Sequence, residues 1–190
     1  MKYIPFFTLL ILLCILPGHV AAFETPDTTG PVWQIQRIYE GRFSVSIPGE
    51  LKLKTDTISA PLGRMAYHTY FYQPQEKNSD ILVYMVSYCD YPEGALPVDS
   101  LELIKAFFDA TVEAAAAGVE GEVIYASDLD IQGYLGRIWR IQYLNDQAVI
   151  KTKACLAGNR YYAVQVVCYK EKSLHNSVDK FLDSFKLFSP

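Results

Sequence analysis

Over most of the chain, apolar and polar residues alternate with a period of two, the pattern of strands that bury one face. Such stretches run over 33–47, 51–57, 65–72 and 81–89, and again over 121–126, 132–143, 148–156 and 160–168. Val, Ile, Thr and Tyr recur in them, residue types that suit a pleated, half-buried surface. Turn chemistry separates them, at Glu40-Gly41, Pro48-Gly49, Pro61-Leu62-Gly63, Asp128, Asn145-Asp146 and Gly158-Asn159.

Two stretches switch to a helical period. In the first, Leu101, Ile104, Phe108, Val112 and Ala115 recur every three or four residues. Asp99 with Glu102 predicts a capping box at its start, and Gly118 a left-handed stop. Leu103, Phe107, Ala110 and Ala114 add a second stripe, and the alanines at 114–117 let the last turn approach a sheet closely. In the second, over 173–187, Leu174, Val178, Phe181 and Phe185 share one face, with Ser173 as the expected cap. The order strands, helix, strands, helix, with mostly hairpin connections, predicts an α+β fold: an antiparallel β-sheet sandwiched between helices.

The N-terminus follows neither pattern. Lys2 precedes an apolar run over 6–16, Pro17-Gly18 breaks it, and Val20-Ala21-Ala22 offers small residues for cleavage before Phe23. The run is too short to span a bilayer, which takes about 20 apolar residues. Residues 1–22 therefore read as a signal peptide, 23–32 as a polar leader and 33–190 as a single α+β domain, with no transmembrane segment after cleavage. Cys14 lacks the small upstream residues of a lipoprotein site and belongs to the discarded segment. The location this predicts is periplasmic or secreted. Removing 22 of 190 residues takes away one lysine and no acid, so the formal charge moves from −4 to −5. That acidity argues against nucleic acid as a partner, because neutralising phosphates needs a basic surplus.

Hairpin arithmetic exposes one exception to it. With Asn145-Asp146 as a turn, residue i faces 291 minus i, so Arg140 stands opposite Lys151. Arg140, Lys151 and Lys153 then share a face, while Trp139, Ile141, Ile150, Thr152 and Ala154 face the other way and suit a core. Like charges in register are unfavourable unless solvated or shared with an anion, so this basic ribbon is the candidate binding surface for an acidic or anionic partner in the cell envelope. With Gly158-Asn159 as the next turn, i faces 317 minus i; Cys155 faces Tyr162 and Cys168 faces Val149. At about 3.3 Å per residue the two thiols are about 20 Å apart, beyond the ~7 Å that a disulfide allows. Cys89 can pair with one of them, or all three can be free.

The search for catalytic chemistry yields little. His68 and His175 are the only histidines after residue 22, at no metal-ligand spacing, and no phosphate loop or nucleophile elbow occurs. No metal, cofactor or catalytic residue is therefore assigned. An enzyme built on this chain would have to draw its acids from the loops near 90–93 and 128–130. The 14 tyrosines alternate along strands or, like Tyr91 beside Pro92, sit in loops; their expected role is packing at sheet edges with the hydroxyl wet.

Phe-Ser-Val-Ser-Ile-Pro at 43–48, Gly-Tyr-Leu-Gly-Arg at 133–137, Gly-Asn-Arg-Tyr-Tyr at 158–162 and Phe-Leu-Asp-Ser-Phe-Lys-Leu at 181–187 give the chain a resemblance to exported bacterial proteins with the PsbP-like fold. The resemblance covers about 43–188 and implies an α/β/α sandwich. In the photosystem members that fold serves as an extrinsic accessory subunit. An intact fold pattern without a recognisable catalytic set leads to the expectation of an exported, non-catalytic accessory or binding domain of unknown partner. The alternatives are a small hydrolase-like envelope enzyme and a carrier holding an apolar ligand between sheet and helix.

Overall fold

The computed structural model describes residues 32–60, 63–75, 79–96 and 100–188. The expected signal peptide, most of the expected polar leader, Pro61-Leu62 and Asp99 lie outside them. Ten strands and two helices follow in order: β1 (Gln34–Ile38), β2 (Phe43–Ile47), β3 (Lys52–Ala60), β4 (Gly63–Tyr72), β5 (Ile81–Asp90), α1 (Leu101–Gly118), β6 (Glu122–Ile131), β7 (Tyr134–Tyr143), β8 (Ala148–Ala157), β9 (Arg160–Tyr169), α2 (Asn176–Ser184) and β10 (Lys186–Leu187). Seven strands form an antiparallel sheet in the order β3-β4-β5-β9-β8-β7-β6. The α+β expectation holds.

Both faces of this sheet are covered. On one, Ile104, Phe108, Val112, Ala115 and Ala116 of α1 pack on Trp139, Ile141, Ile150, Ala154, Tyr161 and Ala163. On the other, Phe181, Leu182 and Phe185 join Phe43, Val45 and Ile47 above Tyr84, Val86, Tyr162, Val164 and Val166. That second layer contains a small sheet, β1-β2-β10, which the hydrophobic pattern did not separate from the main one. The central strand β9 is consequently buried on both sides along eight consecutive residues, from Tyr161 to Cys168.

Both hairpin registers agree with the arithmetic: Arg140 faces Lys151, Cys155 faces Tyr162, and Cys168 faces Val149. Gly136, in the Gly-Tyr-Leu-Gly-Arg stretch, permits the β7–β8 approach, since a Cβ there would lie 2.1 Å from the Ala154 carbonyl oxygen.

Several boundaries differ from expectation. Asp128 is not a turn; β6 continues to Ile131 and the chain reverses at Gln132 and Gly133, both with positive φ (54° and 86°). Helix α1 is capped by Ser100, whose side chain accepts from the Leu103 amide, and Leu101 and Leu103 of the expected stripes are exposed. The last helix is shorter than 173–187. A 3-10 turn at Lys170–Lys172 precedes it, His175 rather than Ser173 caps it, and it stops at Ser184 so that β10 can pair with β2. Leu174, placed on its apolar face by periodicity, is 85% exposed. The tyrosines differ too. Tyr70, Tyr84, Tyr88, Tyr161 and Tyr162 are core residues, and buried hydroxyls find partners, such as Tyr162 on the Gly41 carbonyl at 2.8 Å.

Candidate functional site

The basic ribbon lies under α2. Lys151 Nζ reaches Asp179 Oδ1 at 2.6 Å, Lys153 pairs with Asp183, and Arg140 Nη2 donates to Ser173 Oγ at 3.1 Å. Asp179 and Asp183 are four apart, so one face of the helix presents both carboxylates to lysines two apart on β8. The anions that meet the two lysines belong to the chain itself. Arg140 keeps spare donors: its buried Nε has no partner among the described residues.

Of the acids in the loops that an enzyme would use, Asp90, Asp128 and Asp130 are also occupied, and Glu93 is exposed. Asp128 accepts from Arg137 Nε and Nη2 at 3.1 and 2.7 Å and pairs with Lys105 at 3.2 Å, while buried Arg137 reaches Asp109 as well. Hydrogen bonds from Arg137, and then Lys105, hold the Asp128 carboxyl below its usual range. Asp130 Oδ1 accepts from the Gly133 amide at 2.8 Å, bracing the β6–β7 turn. Asp90 is held by Arg160 through two hydrogen bonds, 2.5 Å from Nε and 2.6 Å from Nη2. His68 bonds Thr55 and stacks on Tyr88, and His175 caps α2. No group of three metal-binding side chains occurs among the described residues.

The thiols are settled as well. Cys89, Cys155 and Cys168 are all free and buried. Burial pushes Cys89 and Cys168 up to about 11 and Cys155 up to about 12, so none is a thiolate at neutral pH.

A site not anticipated from the sequence forms at one end of the fold. There the β1–β2, β6–β7 and β8–β9 turns, the end of β5 and the residues of β10 line a half-open cavity of about 560 Å³. Arg42, Asp90, Tyr134, Asn159, Arg160 and Phe188 are among its walls. Its frame is strongly tied. Arg160 lies 4.5 Å over the Tyr88 ring and donates from Nη1 to the Glu40 carbonyl at 2.9 Å. Gln132 holds β10 by accepting from the Leu187 amide at 2.6 Å and donating to its carbonyl at 3.2 Å. The volume falls in the range of small-ligand sites, roughly 300–1,000 Å³. The only sequence signal for it was the turn-rich Gly-Asn-Arg-Tyr-Tyr stretch, in which Arg160 leaves a hairpin turn between aromatic strands.

The architecture is PsbP-like. The solution structure of cyanobacterial PsbP from Synechocystis sp. PCC 6803 matches 87% of this chain and 98% of its own, with a TM-score of 0.50 and 10% identity. The crystal structure of a protein of unknown function from Pseudomonas aeruginosa matches 76% of this chain and 88% of its own, with a TM-score of 0.38 and 10% identity. No protein-family model matches the chain, and no curated protein matches it in sequence. At such identity the likeness to PsbP establishes fold alone. No helix among the described residues is long and apolar enough to cross a membrane.

Proposed function

We propose that this chain is an exported accessory domain that acts by binding a partner at the turn-built end of its sheet, and not by catalysis. One observation carries the reading: the cavity at that end is framed by fixed ion pairs and backbone hydrogen bonds, while Arg42 is left without a side-chain partner among the described residues. Of the acids available to a hydrolase, Asp90, Asp128 and Asp130 each serve a structural contact, which leaves Glu93 alone among the described residues of those loops. The PsbP-like fold supports an accessory role, and the sequence of residues 1–22 supports export. Arg140 is the member of the basic ribbon that meets no carboxylate among the described residues, its one side-chain partner there being Ser173.

The test places a photo-crosslinking residue at Asn159, on the cavity, or at exposed Glu113 on α1, across the sheet. Expression in the native cell should give a mature chain beginning at Phe23 by mass spectrometry and a discrete envelope crosslink from position 159 alone. Equal crosslinking from both positions, or an uncleaved cytoplasmic chain, would count against the proposal.

A further inference from the structure

The cavity is uneven in charge. Arg160 and Asp90 neutralise one another, so the charged side chains on its wall sum to that of Arg42. Arg42 is exposed, and among the described residues its guanidinium has neither a hydrogen bond nor an ion pair. Its backbone sits at φ 54°, in the left-handed region that glycine enters freely and arginine does not. The preceding Gly41 is needed where it is: a Cβ there would lie 2.5 Å from the Phe43 ring. Arg42 is itself pinned, its amide donating to the Tyr39 carbonyl and its carbonyl accepting from the Phe188 amide, both at 3.1 Å. The left-handed region is also occupied at other turns, by Glu120, Gln132 and Leu144 among others; what sets Arg42 apart is a charge left unpartnered, among the described residues, on the wall of a cavity.

We propose that this cavity binds a carboxylate carried on an apolar body, with Arg42 taking the carboxylate and Leu187 and Phe188 lining the apolar part. The inference rests on reading the domain as a binding module. A single uncompensated positive charge suits a monoanion, and the guanidinium fork matches the planar carboxylate in a bidentate pair. A phosphate dianion is disfavoured, because Asp90 stands on the same wall and Arg160 is already neutralised by it. The carboxylate can belong to a small acid or to the C-terminus of a partner chain.

Amide chemical shifts of the mature protein, followed by NMR during titration, separate these cases. The probes are phenylacetate and phenylacetamide, the tripeptide Ala-Ala-Phe with a free or amidated C-terminus, and inorganic phosphate. At least one acid should shift the amides of Arg42, Asn159 and Arg160 and bind about tenfold or more tightly than its own amide, with phosphate weaker still. Whichever acid is tighter names the source. Arg42→Gly removes the side chain and relieves the left-handed strain, so it should bind about tenfold or more weakly while melting at a higher temperature than the wild type. Equal affinity for acid and amide, tighter binding of phosphate, or undiminished binding by R42G would overturn the assignment. Should the Asn159 crosslink persist in that event, the end of the sheet binds a partner of different chemistry, and the carboxylate assignment alone falls.

Discussion

Arg160 stands directly opposite Asp90 in the β5–β9 pair and grips its carboxylate at 2.5 and 2.6 Å, with the guanidinium 4.5 Å over the Tyr88 ring. The same side chain donates to the Glu40 carbonyl, so one residue ties the main sheet to the β1–β2 turn and builds one wall of the cavity. Its side chain is 16% exposed, which makes the pair largely desolvated on the arginine side and solvated on the other. Arg160→Ala is expected to lower unfolding stability by about 2–3 kcal/mol, since it leaves the Glu40 carbonyl and Asp90 without their donor and opens the space over Tyr88. Arg160→Lys should restore less than half of that, because an ammonium cannot form the fork. Urea denaturation at unchanged m-value checks both.

The lysines of β8 make a second prediction. Each has a side chain about one-fifth exposed, whereas Asp179 and Asp183 are mostly exposed, so each pair works at partial desolvation. Double-mutant cycles on Lys151 with Asp179 and Lys153 with Asp183 should give coupling energies of about 0.5–1 kcal/mol each, falling in high salt. Coupling near zero, together with loss of an envelope partner on replacing Arg140, Lys151 and Lys153, would instead assign the ribbon to an external anion.

What was legible in the sequence was local. Turn chemistry at Asn145-Asp146 and Gly158-Asn159 fixed two registers, and hence the opposition of Arg140 to Lys151 and the separation of Cys155 from Cys168. What covers the ribbon was not legible, because Asp179 is 28 residues from Lys151 and nothing in either segment's periodicity records the other. Asp128 looked like a turn because isolated aspartate disfavours strands; Arg137 and Lys105 supply the partners that hold it in one. Strand β10 is two residues long, too short to carry a period, and its place depends on Gln132, 55 residues away. The Glu40-Gly41 turn was legible, but nothing in the sequence records that Arg42, which follows it, takes a φ of 54° or borders a cavity.

Asp128 supports a prediction in acid. Its folded pKa is depressed below the ordinary 3.8, first by the hydrogen bonds from Arg137 and then by those from Lys105, so the ionised form stabilises the fold. That contribution is fully present above 3.8 and is lost as the pH falls through the depressed value. Asp128→Asn is therefore expected to cost about 1 kcal/mol near neutrality, a modest figure because the carboxylate is half exposed and screened by solvent. The gap between the two urea midpoints should begin to narrow below 3.8 and close as the pH falls through the depressed value.

In alkali the sign reverses, and the buried thiols and phenols govern. Burial lifts Cys89 and Cys168 to about 11 and Cys155 to about 12 from an ordinary 9.0, and Tyr67 and Tyr70 to about 12 from 10.0. These groups are neutral when protonated, so the folded state holds their protons more tightly than the unfolded state does. Unfolding then releases protons once the pH passes 9.0, and stability should fall progressively above it. Thermal melts between about pH 7 and pH 10 should show this decline beginning near 9. In a chain that begins at Phe23, a chromogenic disulfide reagent at neutral pH should find no reactive thiol in the native state and three after denaturation. Rapid native labelling of any of the three would mean that the covering layer over its face opens on the timescale of the assay.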